Sequence, residues 1–456
     1  MADSIQQLNR EYREYFLKNR TSPEEHMSFL QMFLVERGCT FGGEAMPTLL
    51  KPNFISSRQS ALLKSHVERM SRALNKFIGL YLSDDRVRGI MGFSEKENRL
   101  FRIEPGYRNP LVISRLDAFL NGESLKFLEF NCDSPAGIAY ADVLEEGFQV
   151  IFRKYPFLNG YRIRYARRQG RLLESLLQCY REFREIQRQF PEKPVIAIVD
   201  WADVSTRSEF ELHRQHFTEH GIETIIATPQ DFEIKRGRAV AGGQEVHLVY
   251  KRVITRELIE KWDEVQDFIG CIGSGLVCCC NSFRSYIVGN KKVLAVLADP
   301  RYQSVFTDRE RQLIRNTIPW TAVLADVRVK YGRRLVHLKS FIPEQKDRLV
   351  LKPGNKYGGK DVYIGRETPQ DVWEKVMNDH LDDDTWVVQE YVDIPTDEYP
   401  EISRSVVFKP KYVNINPFAL NNRYSGTITR ISDSPVINVS AGGGLVPTLT
   451  AEPLEI

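Results

Sequence analysis

The sequence predicts a mixed α/β protein built from more than one lobe, and three observations predict it. The chain has 456 residues, more than one simple hydrophobic core organises, so two or three packed lobes are expected. Apolar residues recur at three- and four-residue spacing over the N-terminal part, switch to a period of two, and then alternate between the patterns. That reads as helices, a hairpin, and strand–helix–strand order. Composition also sets no other class, because 42% hydrophobic and 27% charged residues are ordinary for a globular chain.

Taken in order, residues 1–110 read as a helical region. HMSFLQMFLVERG and the stretch Gln59 to Leu82 carry helical spacing, with Pro47 and Pro52 breaking the pattern between them. Residues 111–190 open with a β-hairpin from Leu111 to Asn131 and continue as helices, strongly amphipathic from Arg171 to Phe190. Residues 191–285 begin after Pro194 with the strand VIAIVDW. The helix SEFELHRQHFTEHG follows, ending at Gly221, then the strands ETIIATP and VHLVYKRV. This order argues for a parallel, Rossmann-like lobe, and the missing G-x-G-x-x-G argues against a dinucleotide there. Residues 286–456 hold helices at Lys291–Leu297 and Asp308–Asn316, the strand RLVLKP, a glycine-rich loop, a helix in PQDVWEKVMNDHL and the strand WVVQEYV. A run of short strands and turns is expected to close the chain.

Charge and cysteine usage narrow the function. The 63 basic and 60 acidic residues leave a formal net charge of +3, and no Lys/Arg block stands out, so no nucleic-acid footprint is expected. Basic residues do cluster around the motifs below, which favours an anionic substrate. MADSIQQLNREYREYF has no apolar leader, and no stretch reaches the roughly 20 apolar residues that span a bilayer. A cytoplasmic protein without a membrane partner is therefore expected. Seven cysteines fit that compartment, and Cys278, Cys279 and Cys280 with Cys271 in CIGSGLVCCC read as a buried strand or helix start. They lack metal spacing. His213, His216 and His220 share a helical face with Phe217, which suits a half-buried amphipathic helix better than a metal site.

The most informative stretch is ISRLDAFLNGESLKFLEFNCDSPAG, residues 113–137. Strand alternation puts Leu116, Ala118 and Leu120 on one face, shared with Leu128 and Phe130, and Arg115, Asp117, Glu129 and Asn131 on the other. A loop of three or five residues centred on Glu123 sets Asp117 opposite Glu129 and Arg115 opposite Asn131. A two-residue Asn121-Gly122 turn sets Asp117 opposite Lys126 instead; the longer loop is favoured because it keeps the apolar faces together. Facing carboxylates repel, and a divalent cation removes the repulsion. Oxygen ligands of this kind suit Mg²⁺. A solvated sheet face carrying an Asp–Arg pair has the same spacing.

RLVLKPGNKYGGKDVYIG is the second constellation: Lys352 ends a strand before Gly354, Gly358 and Gly359, with Lys356 and Lys360 nearby. Glycines let backbone N–H groups approach phosphate oxygens, and a lysine serves as a point charge. A basic surface turn is the alternative, and no Walker A pattern is present. In VVQEYVDIP, Gln389 stands between apolar strand positions, where a polar group can read an adenine amino group between apolar walls; a plain edge strand fits too. Arg404, Arg430 and NVSAGGG stand in strand-like segments downstream.

Together these motifs resemble the circularly permuted ATP-grasp proteins, the glutathionylspermidine synthase-like group among them. The spacing R-x-D-x11-E-x-N comes first in the chain, and KP-x4-GG and QEYV come later, the permuted order. The resemblance covers residues 110–140 and 286–445; the Cys-His amidase domain of the bifunctional synthases is missing. It implies Mg²⁺ ligation by Asp117, Glu129 and Asn131, and phosphate contact by Arg115. It implies ATP binding by Lys291 (with Lys292 beside it), Lys352, Gly358 and Gly359, and an adenine hinge at Gln389, Glu390 and Val392. Arg430 and NVSAGGG resemble the C-terminal signature, Arg430 with a catalytic role. The implied activity is an ADP-forming ligase that joins a small carboxylate to an amine (amino acid, peptide or polyamine) through an acyl phosphate, with a homodimer left open. The alternative is a nucleotide-binding module without turnover.

Overall fold

Capping and burial fix the long N-terminal helix. Ser56 accepts a hydrogen bond from the Gln59 N–H while the Gln59 side chain reaches back to the cap, and the helix runs Ser57–Ser83. Leu63, Val67, Met70, Leu74, Phe77 and Tyr81 line its buried face. Helices Ala2–Lys18 and Ser22–Glu36 precede it, separated from it by the irregular stretch that contains Pro47 and Pro52. The computed structural model describes residues 2–19, 22–356, 360–402, 405–437 and 443–454. No helix among them is long and apolar enough to cross a membrane.

Eight of the strands join one mixed sheet. Its path runs Asn53–Ile55, Gly444–Pro453, Arg423–Ser432, Val406–Leu420, Ile113–Asn121, Ser124–Asn131, with Thr396–Ile402 and Tyr161–Arg164 paired alongside. Two expectations are corrected here. The C-terminal strands are long, not short: 15, 10 and 10 residues in chain order. Buried polar side chains on both faces, Asn414 and Asn416 on one and Thr427 and Thr429 on the other, break the apolar pattern that would have announced them. Asn421 and Asn422, both with positive φ, form the two-residue turn between Leu420 and Arg423. The stretch read as helices after the hairpin also holds the strand Tyr161–Arg164, an edge partner of Gly444–Pro453.

The acidic hairpin forms as expected in its pairing and differently in its turn. Asp117 faces Glu129 and Arg115 faces Asn131. The loop, however, is Gly122–Glu123, with Asn121 opposite Ser124. One extra residue, Leu128, is bulged between the Phe127 and Glu129 pairings and restores the acidic register. The core face therefore holds Leu125, Phe127 and Phe130, while Leu128 turns to the cavity.

Two smaller sheets flank this one. Cys278–Cys280, Leu248–Lys251, Ile196–Val199 and Thr224–Ala227 form an all-parallel sheet of four. Helix Arg207–Glu219 packs against it, followed by Gly221 at φ +75°. All seven cysteines are buried and free. His213 is fully buried and stacks on Phe217, and no group of three or more His, Cys, Asp and Glu side chains among the described residues is arranged to hold a metal. The other sheet is antiparallel: Thr321–Val323, Trp386–Glu390, Leu349–Pro353, Tyr363–Ile364. It has its own core around Leu338, Phe341, Trp373 and Met377, and its open face looks onto the acidic hairpin.

Candidate active site

Between the hairpin and the antiparallel sheet lies a cavity of about 530 Å³. Arg115, Asp117, Glu129, Asn131, Lys291, Lys352, Gln389, Glu390, Val392 and Arg430 all line it. Gly358, Gly359, Arg404 and residues 438–442 of NVSAGGG lie outside the described residues. Six basic and four acidic side chains line the cavity among those described, so its field favours an anion.

Asp117 sits between two guanidinium groups. Arg115 Nε donates to Asp117 Oδ1 at 2.9 Å, and Arg430 donates from one terminal nitrogen to Oδ2 at 3.0 Å. Arg115 also donates to the Ala136 carbonyl at 2.9 Å. Burial and the neighbouring Arg115 charge lower the Arg430 pKa, against the pull of Asp117 and Glu129. Glu129 Oε2 lies 3.0 Å from Lys291 Nζ. Burial would raise its carboxyl, but Lys291, Lys352 and Arg430 outweigh that and hold it at about 2.

The lysines come from the other side. The Lys291 N–H donates to the Gly354 carbonyl at 2.8 Å, fastening the start of helix Lys292–Ala298 to the end of strand Leu349–Pro353. A Cβ on Gly354 would stand 2.9 Å from both Asn290 Oδ1 and the Thr385 carbonyl, so only glycine fits that junction. Lys291 Nζ donates to the Lys356 carbonyl at 2.7 Å. Lys292 turns away, donating to the Ile90 carbonyl at 3.0 Å. Of this pair, Lys291 is the one in the cavity.

Lys352 Nζ donates to the Leu128 carbonyl at 3.0 Å and to Gln389 Oε1 at 2.8 Å. The acceptor freed by the hairpin bulge thus holds the lysine of the opposing sheet. Burial, then repulsion from Lys291, lowers the Lys352 pKa to about 7 despite Glu129. Gln389 is engaged at both ends, since its Nε2 donates to Thr321 Oγ1 at 2.9 Å. Its side chain orients Lys352, and one N–H of its amide remains beyond these two bonds. The Val392 N–H, by contrast, makes no hydrogen bond to the described residues.

The donor set fits a hard cation in part. Glu129 and Asn131 supply a carboxylate and an amide oxygen side by side, the oxygen chemistry Mg²⁺ takes. Asp117 is already shared between Arg115 and Arg430. Sequence reasoning missed Asn414, which faces Arg430 across the ladder and lines the same cavity. Alternation in YVNIN, where Val413 and Ile415 are core, carried that signal. It also missed Tyr331, whose hydroxyl donates to Glu390 at 3.3 Å.

No protein-family model and no curated protein matches the sequence. Among solved structures, the chain is similar to the apo form of a glutathione synthetase-like effector from Globodera pallida. The TM-score is 0.63 at 11% identity, over 93% of this chain and 96% of that one. Weaker likenesses, too distant to argue from, are to a gamma-glutamylcysteine synthetase from Methylobacillus flagellatus (TM-score 0.39, 10% identity, 84% and 85% covered) and a D-cycloserine synthetase (0.34, 15%, 57% and 75%). The chain thus has, along nearly its whole length, the mixed α/β fold of a glutathione synthetase-like protein.

Proposed function

We propose that this chain is an ATP- and Mg²⁺-dependent carboxylate–amine ligase with a circularly permuted ATP-grasp arrangement, the parallel sheet serving as its Rossmann-like lobe. One observation carries the reading: Glu129 of the acidic hairpin and Lys291 and Lys352 from far downstream meet across one cavity, with Lys291 3.0 Å from Glu129. The fold likeness supports the architecture and leaves the chemistry to be argued from the site.

Lys291 and Lys352 hold the phosphates of ATP as point charges, and Lys356 and Lys360 add to that field. The backbone at Glu390–Val392 takes the adenine edge, with Val350, Ile364 and Val392 as apolar walls. Glu129 and Asn131 would hold Mg²⁺, and Asp117, shared with the two arginines, stands third. When bound, the ion screens phosphate charge. Arg115 and Arg430 orient the substrate carboxylate and stabilise charge on the phosphoryl group in transfer. Attack by the carboxylate gives an acyl phosphate and ADP, and the amine then displaces phosphate to form the amide.

Incubation with ATP, Mg²⁺ and pools of amino acids, peptides and polyamines tests this. ADP and phosphate are expected. AMP with pyrophosphate contradicts the reading, and nucleotide binding without turnover favours a regulatory module. Glu129→Gln is expected to bind ATP and to lose turnover by roughly 10²- to 10³-fold.

A further inference from the structure

The cavity continues past the acidic hairpin, away from the lysines, into a wall of different chemistry. Phe41, Met46 and Tyr140 form it, with Ser205 and Thr206 beside them and Ile254 at its border. Three pieces of chain build this wall. The short hairpin Thr40–Phe41 and Glu44–Ala45 is tied down where Ser208 Oγ donates to the Thr40 carbonyl at 2.8 Å. Tyr140, in the first turn of helix Ile138–Phe152, shares a 2.7 Å hydrogen bond with the same Ser208 hydroxyl. Ser205 and Thr206 lie on the connection that leaves strand Ile196–Val199 at its carboxyl end, where parallel sheets commonly receive ligands.

The charges at this end are all spent. Asp133 is the acid here, and both its oxygens are taken: Lys251 Nζ and Thr255 Oγ1 donate to Oδ1 at 2.5 and 2.7 Å, and the Thr255 N–H to Oδ2 at 2.6 Å. No other carboxylate among the described lining residues stands on this wall to meet a substrate ammonium, and no lysine stands there to meet a second carboxylate. Charged atoms of a substrate would lose water there without gaining a partner. The uncommitted polar groups are neutral: the Ser205 and Thr206 hydroxyls make no hydrogen bond to the described residues. The cations in reach are Arg115 and Arg430. Arg430 donates one hydrogen bond among the described residues, to Asp117.

We infer that the acid activated here is a monocarboxylate with an uncharged, largely apolar body. Its carboxylate lies at Arg115 and Arg430, its body against Phe41, Met46 and Tyr140, and its neutral polar atoms at Ser205 and Thr206. This rests on the ligase reading above and excludes polyamines and dicarboxylic peptides from this end of the cavity.

Hydroxylamine in place of the amine makes the test independent of the unknown nucleophile. The carboxylate oxygen attacks the γ-phosphorus and releases ADP. Hydroxylamine then attacks the acyl carbon, phosphate leaves, and the nitrogen loses a proton to give a hydroxamate. With ATP and Mg²⁺, hydrocinnamate and N-acetyl-methionine are expected to give hydroxamate with kcat/KM at least tenfold above glutarate, glutathione and the carboxylate-bearing polyamine conjugate glutathionylspermidine. Phe41→Glu is expected to cut kcat/KM for hydrocinnamate about tenfold or more. Preference for glutarate, glutathione or the conjugate, or ATP binding with no hydroxamate from either monocarboxylate, overturns the inference and leaves the nucleotide site standing. Release of AMP, or no ATP binding, overturns the ligase reading itself.

Discussion

Lys352 is 7% exposed, with a bulge carbonyl and a glutamine amide as its hydrogen-bond acceptors. Burial and the Lys291 charge bring its pKa to about 7. Above that pH the folded protein holds it mainly neutral, and an arriving triphosphate restores the proton. ATP binding at pH 8 is therefore expected to take up close to one proton, binding at pH 6 almost none, and affinity to fall as pH rises through 7. Calorimetry in buffers of differing ionisation enthalpy reads this directly, and Lys352→Met is expected to abolish the uptake; equal uptake at both pH values refutes it. The unfolded chain keeps the proton up to ordinary lysine values, so unliganded stability is expected to rise with pH above 7. Glu129, held at about 2, stays charged throughout this range. At this scale the sequence was informative where chemistry and period coincide, as at Arg115, Asp117, Glu129 and Asn131. It singled out Gln389 but not that its amide holds a lysine, because a side chain's partner across a sheet depends on register.

The hairpin shows why register was half legible. Its pairing followed from alternation and facing acids, whereas its turn did not, because a bulge adds one residue without leaving a side-chain pattern. Leu128 is that residue; bulged out of the ladder, it leaves Glu129 opposite Asp117 and frees a carbonyl for Lys352. Deleting Leu128 would leave a regular ladder in which Ala118 still faces Phe127 and Asp117 still faces Glu129. The expected outcome is a folded protein whose thermal midpoint moves by only a few degrees. Its ATP affinity is expected to fall about tenfold, the scale of one hydrogen bond to a charged group. Unchanged ATP affinity would mean the bulge carbonyl does not position Lys352. The long C-terminal strands hid for a related reason. They carry buried polar side chains on both faces, Asn414, Asn416 and Arg430 on one and Thr427 and Thr429 on the other, so a buried sheet read as polar turns.

At the scale of the whole molecule, the chain lines the cavity with acids from its early part and lysines from its late part. The sheet that carries Lys352 has a separate core around Trp373 and touches the large sheet where Lys352 meets Leu128, while Lys291, fastened to Gly354 beside it, reaches Glu129. That arrangement lets one ligand bridge both. Hydrogen–deuterium exchange with a non-hydrolysable ATP analogue and Mg²⁺ measures the bridging most directly. Protection is expected to rise together in the hairpin 115–131 and in segments 349–353 and 386–392. Protection confined to one side, or absent from both, would contradict a single nucleotide site built from the two ends of the chain.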